Sequence, residues 1–137
     1  MAYEVLDISG DAGIRSCGAG FEEALAEAAV GMFSLITDVG QVREVRSIDV
    51  HASADTPEAL VVGLLNDMIF HFDTYGFIGR RVEVCDRDRS SIRARVYGEE
   101  FDAERHESRL LVKAATFHDI KVADAGDHWE IEVVFDI

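Results

Sequence analysis

Carboxylates near the two ends of the chain are the groups whose placement could do chemistry. Asp11 lies in a Gly-flanked loop, where backbone and side-chain oxygens can converge. Asp136 is the penultimate residue, so its side chain lies beside the terminal carboxylate of Ile137. Hard cations such as Ca²⁺ and Mg²⁺ prefer several oxygen ligands, which this set could supply. From the residues alone, an Asp-Ile ending is more often a solvated strand end, and a metal site is the alternative.

Other familiar chemical motifs are absent from the sequence. The five histidines never stand three to five residues apart and no cysteine lies near one, which excludes a zinc site of the usual local spacing. Gly18-Ala19-Gly20 lacks the third glycine and the Lys-Ser/Thr pair of phosphate-binding loops, so we interpret it as a simple turn. No serine has a G-x-S-x-G context, so nucleophilic hydrolysis has no support.

Two segments have the apolar spacing of buried helices. Between Phe21 and Ile36 the apolar residues recur every three to four positions, and two glutamates lie in the first turn, where the helix dipole favours them. A second helix is predicted to begin after Asp55-Thr56, because either residue can cap it and Pro57 is tolerated in the first turn. Gly76 is its predicted terminator.

Strand patterns cover much of the remaining sequence, and Ala125-Gly126-Asp127 is predicted to join the last two strands as a hairpin. An all-strand second half indicates an α+β fold, with two helices packed on a mostly antiparallel sheet in a single domain of residues 1–137. The segments predicted as strands are 3–7, 14–17, 42–52, 81–85, 92–97, 110–115, 117–122 and 129–135.

The charge balance restricts the classes of partner. The 137 residues carry 13 Lys and Arg against 27 Asp and Glu, a formal net charge of −14. This argues against a nonspecific grip on nucleic acid, which requires clustered cations. It fits a basic protein partner or a bound cation, and equally plain solubility. No apolar run approaches the roughly 20 residues that span a bilayer and no secretory signal is visible, so we expect a cytoplasmic protein without membrane contact.

Several short motifs, taken in order, resemble the archease family, the small proteins that activate RtcB-type RNA ligases. The resemblance covers essentially the whole chain, and its order and ending are more specific than any single piece. The stretches that carry it are Tyr3-Glu4-Val5-Leu6-Asp7-Ile8-Ser9-Gly10-Asp11, Gly18-Ala19-Gly20-Phe21-Glu22-Glu23-Ala24, Gly98-Glu99-Glu100-Phe101, Val112-Lys113-Ala114-Ala115-Thr116-Phe117-His118 and Phe135-Asp136-Ile137.

The resemblance implies a divalent-metal site formed by Asp11, Asp136 and the terminal carboxylate of Ile137. The expected metal is Ca²⁺, with Mg²⁺ or Mn²⁺ as alternatives. One departure concerns the family's His-Thr-Ala before the loop Asp, which is Ile8-Ser9-Gly10 here. Any role of that histidine is therefore lost, whereas Asp11 is retained. The resemblance also marks Lys113 as a candidate contact to a phosphate or to the ligase, although a lone strand lysine is more often simply solvated.

As a member of this family, the protein is expected not to ligate RNA itself. It would promote guanylylation of an RtcB-type ligase and so allow multiple turnovers in tRNA splicing or RNA repair. GTP would be used by the ligase, and RNA would be reached only through it.

Two alternatives stay open. A stand-alone metal-dependent enzyme would use carboxylates as ligands and base, although no nucleophile or base stands out. A general interaction module would offer a strand edge to several partners.

Overall fold

Two helices and eight strands make up the computed structural model, which describes residues 2–137. In chain order the elements are β1 (Ala2–Ile8), β2 (Asp11–Gly18), α1 (Phe21–Ile36), a 3₁₀ turn (Val39–Gln41), β3 (Arg46–Ser53), α2 (Pro57–Tyr75), β4 (Phe77–Arg87), β5 (Ser91–Glu100), β6 (Ala114–Ala115), β7 (Lys121–Asp124) and β8 (Trp129–Asp136).

The strands form two antiparallel sheets, and the helices pack against both. The larger sheet has the order β1-β2-β8-β6, with β7 also paired to β8, and the smaller sheet has the order β3-β5-β4. α1 packs on β2 of the larger sheet and on β4 of the smaller one, whereas α2 packs mainly on β3 and β6. The predicted α+β class with two helices on antiparallel strands is confirmed. The division of the strands between two sheets was not predicted.

α1 has the predicted bounds. Of the three residues predicted as a turn before it, Gly18 ends β2 and Ala19-Gly20 forms a bend. Gly20 is the N-cap without a side-chain cap bond. The backbone N–H of Ala19 instead donates to the carboxylate of Glu23, three positions into the helix. This bond fixes the segment just before the helix to its first turn.

α2 begins and ends at the predicted signals. The hydroxyl of Thr56 accepts from the N–H of Ala59 at 3.1 Å, and Pro57 occupies the first turn. Gly76 has a φ of 72° and donates its N–H to the carbonyls of His71 and Phe72. This left-handed C-cap favours glycine, because other residues pay a steric cost there. No helix among residues 2–137 is long and apolar enough to cross a membrane.

The prediction of a strand over 110–115 was wrong, since only Ala114–Ala115 pairs in a sheet. The N–H groups of Arg109 and Leu110 donate to the carbonyls of Ile36 and Leu35 at 2.9 Å each. The last carbonyls of a helix have no partner within the helix and need outside donors. The segment before β6 therefore caps α1 instead of extending the sheet.

β3 and β7 begin later than predicted because backbone donors near their predicted starts are used elsewhere. β3 begins at Arg46 and not at 42: the N–H of Val42 closes the 3₁₀ turn at the carbonyl of Val39. β7 begins at Lys121 because the N–H of Ile120 donates to the carbonyl of Phe117, closing a turn in place of the predicted strand start.

Candidate functional site

The register of the larger sheet brings Asp11 and Asp136 together. β2 pairs with β8 so that Ala12 lies opposite Phe135. Extended by one residue, the same register places Asp11 opposite Asp136, although 125 positions separate them in the sequence. Directly opposed residues of an antiparallel pair lie on one face with Cβ atoms about 5 Å apart. The extended register therefore places the two side chains on one face of the sheet, at adjoining strand ends.

A two-residue turn fixes the approach of Asp11. Ile8 pairs with Asp11, and Ser9-Gly10 forms the connection, with Gly10 at a φ of 80°. The side chain of Ile8 packs over Gly13, where an added Cβ would lie 2.7 Å from Ile8 Cδ1. Ile8 thus contributes apolar contact beside Asp11 and no ligand atom.

Both aspartates lie on the face of the sheet that points away from the helices. Their neighbours Ala12 and Phe135 are buried in the core, and side chains alternate between the two faces of a strand. Asp11 is half-buried, whereas Asp136 is exposed. The pair is therefore accessible from outside the protein.

The carboxylates of these aspartates have no bonded partner in the described part of the chain. Within residues 2–137, no side chain forms a hydrogen bond or an ion pair with the carboxylate of Asp11 or Asp136. Ile137 follows directly and is 37% exposed. Like charges placed opposite each other destabilise a strand pair. A bound cation would relieve this repulsion.

The donor set fits a hard divalent cation by its chemistry. It supplies only carboxylate oxygens, which Ca²⁺, Mg²⁺ and Mn²⁺ prefer over softer ligands. No three His, Cys, Asp or Glu side chains gather into a possible metal group in the described part of the chain. The set here is smaller, with two side chains, so a cation bound there would keep several water ligands.

Lys113 lies next to this set through its backbone. Its N–H donates to the carbonyl of Asp136 at 2.8 Å, and its side chain is exposed. The following strand is held by Asn66 of α2, whose amide donates to the carbonyl of Ala115 at 3.2 Å and accepts from its N–H at 2.8 Å. Lys113 is thus anchored beside Asp136 while its ammonium group stays in solvent.

A buried carboxylate that sequence reasoning did not single out lies at the end of β5. Glu99 is 7% exposed and accepts from the N–H of Arg43 at 2.7 Å. His106 Nε2 lies 2.9 Å from Glu99 Oε2, and the guanidinium group of Arg105 donates to Glu99 Oε1. His106 Nδ1 accepts a hydrogen bond from the N–H of Asp102 at 2.8 Å. A neutral imidazole in this place therefore carries its hydrogen on Nε2, and this N–H donates a hydrogen bond to Glu99.

Burial and hydrogen bonding shift the pKa of Glu99 in opposite directions. Removal from water raises the pKa of the Glu99 carboxyl, but the bonds from Arg43, Arg105 and His106 outweigh it and lower that pKa to about 2. Glu99 is therefore ionised at neutral pH. The only signal in the sequence was its place between Gly98 and Phe101, in a stretch that carried the family resemblance.

The chain is similar to archease proteins along its whole length. A model of the Archease protein family matches residues 3–137. The protein named archease from Danio rerio is 36% identical over 138 residues, which cover 98% of this chain and 85% of that protein.

Solved structures show the same fold. The solution structure of protein 1598 from Methanobacterium thermoautotrophicum has a TM-score of 0.83 at 28% identity and covers 98% of both chains. A crystal structure from Thermotoga maritima, described as an archease and possible chaperone, has a TM-score of 0.65 at 19% identity and covers 96% of this chain and 94% of that one.

Proposed function

The chain belongs to the Archease protein family, and we propose that it activates an RtcB-type RNA ligase by promoting guanylylation and multiple turnover, in tRNA splicing or RNA repair. The observation that carries the proposal is the pair of opposed carboxylates, Asp11 and Asp136, without a partner in residues 2–137. Such a pair is suited to hold a cation at the surface that meets the ligase. The protein acts on the ligase and does not join RNA itself.

In this proposal the strand ends hold a divalent cation. Asp11, Asp136 and the carboxylate of Ile137 would bind Ca²⁺, with Mg²⁺ or Mn²⁺ as alternatives. A divalent cation neutralises charge on a phosphoryl group during its transfer. Lys113, anchored beside Asp136, would contact a phosphate or the ligase.

The charge of the molecule supports a protein partner over direct RNA binding. A net charge of −14 repels a polyanion and attracts a basic surface. RNA would therefore be bound by the ligase, which would also be the protein that uses GTP. The Thermotoga maritima protein is described as a possible chaperone, which also implies a protein partner for that relative. The proposal includes the cytoplasmic location expected from the sequence.

The test is RNA ligation at limiting RtcB-type ligase, with GTP and a divalent cation, with and without the protein. We expect one turnover per ligase without the protein and many with it. No stimulation of an active cognate ligase would contradict the proposal, and ligation by this protein alone would favour the metal-dependent enzyme.

Variants separate the carboxylate pair from the rest of the surface. We expect Asp11→Asn and Asp136→Asn to lose most of the stimulation while remaining folded. Asp7→Asn is the matched control, because Asp7 is exposed near the same turn and lies opposite Ala12, on the other face of the ladder. Equal stimulation by all three variants would reject the metal role. If stimulation then also proved independent of divalent cations, the interaction module would replace the metal-assisted activator.

A further inference from the structure

Positive charge without a partner is concentrated in one part of this acidic molecule. Most basic side chains form ion pairs, as Arg15 does with Glu4 at 2.7 Å. In residues 2–137, the basic side chains without a carboxylate partner are Arg43, Arg46, Arg80, Arg89 and Lys113. Three of them, Arg43, Arg46 and Arg80, lie on or against the segment that follows the 3₁₀ turn.

A surface cleft of about 720 Å³ opens at this segment. Its lining includes Arg43, Arg80 and Arg105, together with Glu44. We call it the arginine cleft after those three residues. Glu44 is paired with Arg81, whose Nη2 lies 3.0 Å from Glu44 Oε1. The negative charge of Glu44 is thus balanced by Arg81, and the other arginines of the lining are not needed for it.

Backbone carbonyls hold two of the guanidinium groups in place. Arg80 Nη1 donates to the carbonyls of Gly40 at 3.0 Å and Val42 at 2.9 Å. Arg105 Nη1 donates to the carbonyl of Gln41, between them, at 3.1 Å. Each guanidinium has five N–H donors, and the bonds of Arg80 use only one of its nitrogens. Donors therefore remain for a ligand, on groups that are already ordered.

The buried Glu99 also positions this cleft. Its carboxylate accepts from the backbone N–H of Arg43 and from the side chain of Arg105. A buried carboxylate is costly unless it is fully hydrogen-bonded, and here two of its donors belong to cleft residues. Glu99 neutralises Arg105 in part, so Arg43 and Arg80 provide the positive charge left for an external ligand.

We propose that the arginine cleft binds a compact phosphate group, such as inorganic phosphate, pyrophosphate or the phosphates of a nucleotide. Guanidinium groups match the tetrahedral oxygens of a phosphate with paired N–H donors. The surrounding surface is negative, so an extended polyanion such as RNA would be repelled beyond the cleft. This site does not depend on ligase activation and shares no residue with Asp11 and Asp136.

The test is titration of the full chain with sodium phosphate, pyrophosphate and GTP, in EDTA at low ionic strength, followed by amide NMR shifts and calorimetry. We expect saturable binding, with shifts centred on residues 40–46 and 80. Arg43→Gln should weaken binding about tenfold, since a hydrogen bond to a charged group is lost. Preference for GTP over pyrophosphate would identify a nucleotide as the source of the phosphate.

Arg89→Gln is the matched control, because Arg89 is exposed, has no carboxylate partner and lies at the turn between β4 and β5. It should leave the affinity unchanged. The side chain of Arg43 makes no bond in the described chain, so equal melting temperatures should show that its variant is folded. Equal losses in both variants, or no saturable binding, would overturn the proposal. Binding of a glutamate-rich peptide without phosphate binding would assign the cleft to a protein segment instead.

Discussion

Two sets of carboxylates in this molecule have opposite surroundings. Asp11 and Asp136 lie at strand ends on an outer face, without a donor from residues 2–137. Glu99 is almost fully buried and receives bonds from Arg43, Arg105 and His106. The first set leaves its charge available to an external cation, whereas the second uses its charge within the fold. The same chemical group is therefore available to a ligand in one place and stabilises the fold in the other.

This difference predicts how stability and activity separate. A carboxylate with three internal donors contributes to the free energy of unfolding, because its removal leaves those donors without a partner. A carboxylate pair without donors contributes little or is destabilising until a ligand arrives. Substitutions at Glu99 should therefore lower stability, and substitutions at Asp11 or Asp136 should change metal binding and ligase activation in a folded protein.

The largest expected effect is that of Glu99→Ala. Removing the carboxylate leaves the Arg43 N–H and the His106 side chain without their acceptor in a buried place. We expect the free energy of unfolding to fall by about 3 kcal/mol, measured by urea denaturation. Asp11→Ala, measured in EDTA, should change it by less than about 0.5 kcal/mol. Equal losses for the two variants would remove the contrast between the regions.

The next effect is stabilisation by a divalent cation. At Ca²⁺ about one hundred times above the dissociation constant, binding should add about 2.7 kcal/mol. For a chain of this size this corresponds to a rise in Tm of about 9 °C, measured by calorimetry against EDTA. Asp11→Asn should abolish most of the rise, whereas Glu99→Gln should retain it from a lower starting Tm. Identical melting of the unsubstituted protein in EDTA and in Ca²⁺, Mg²⁺ or Mn²⁺ would reject a tight site.

The pH dependence of the free energy of unfolding should reveal the stabilising contribution of ionised Glu99. Its pKa of about 2 in the folded protein lies below the ordinary value of 4.5. Between these values the unfolded chain binds a proton that the folded state does not, so stability rises with pH. The contribution is complete above about pH 4.5 and is lost as the pH falls toward 2.

The check is the free energy of unfolding of the unsubstituted protein and of Glu99→Gln, from about pH 6 to about pH 2.5. The difference between the two should shrink on acidification. A difference that stays constant over this range would show that the charge of Glu99 does not stabilise the fold.

Local signals predicted the helices, and long-range hydrogen bonding explains what they missed. The bounds of α1 and the capping of α2 by Thr56 and Gly76 followed from spacing and cap chemistry within a few residues. The strand predicted at 110–115 failed because Arg109 and Leu110 serve the distant end of α1. No sequence motif around Arg109 and Leu110 indicates that they bond to the end of a distant helix.

In the candidate site, too, the sequence indicated individual residues but not the long-range contacts between them. Asp11 and Asp136 were singled out by their sequence positions and by the family resemblance. Asp11 was expected in a loop but is the first residue of β2, and its placement relative to Asp136 depends on the pairing of β2 with β8. The network of Glu99 and His106 escaped notice because no motif distinguishes a carboxylate that will be buried. Its partner Arg43 lies 56 positions away, a contact that only the fold creates.

The smallest expected effect is the change in the free energy of unfolding caused by Asp136→Asn. The sign of this change tests whether the two carboxylates repel each other. In EDTA at low salt, Asp136→Asn removes one of two opposed like charges, so the free energy of unfolding should rise by about 0.5 kcal/mol. In saturating Ca²⁺ the order should reverse, because the unsubstituted protein gains the binding free energy that the variant has lost. Parallel urea denaturation under both conditions measures each difference.

Asp7→Asn separates this local repulsion from the general effect of net charge. It removes the same charge from a molecule of net charge −14, at an exposed residue on the other face of the ladder. If the repulsion is local, this variant should be less stabilised than Asp136→Asn in EDTA and should show no reversal in Ca²⁺. A reversal in both variants would mean that Ca²⁺ acts by screening the whole surface, and the carboxylate pair would lose its distinction from the other exposed aspartates.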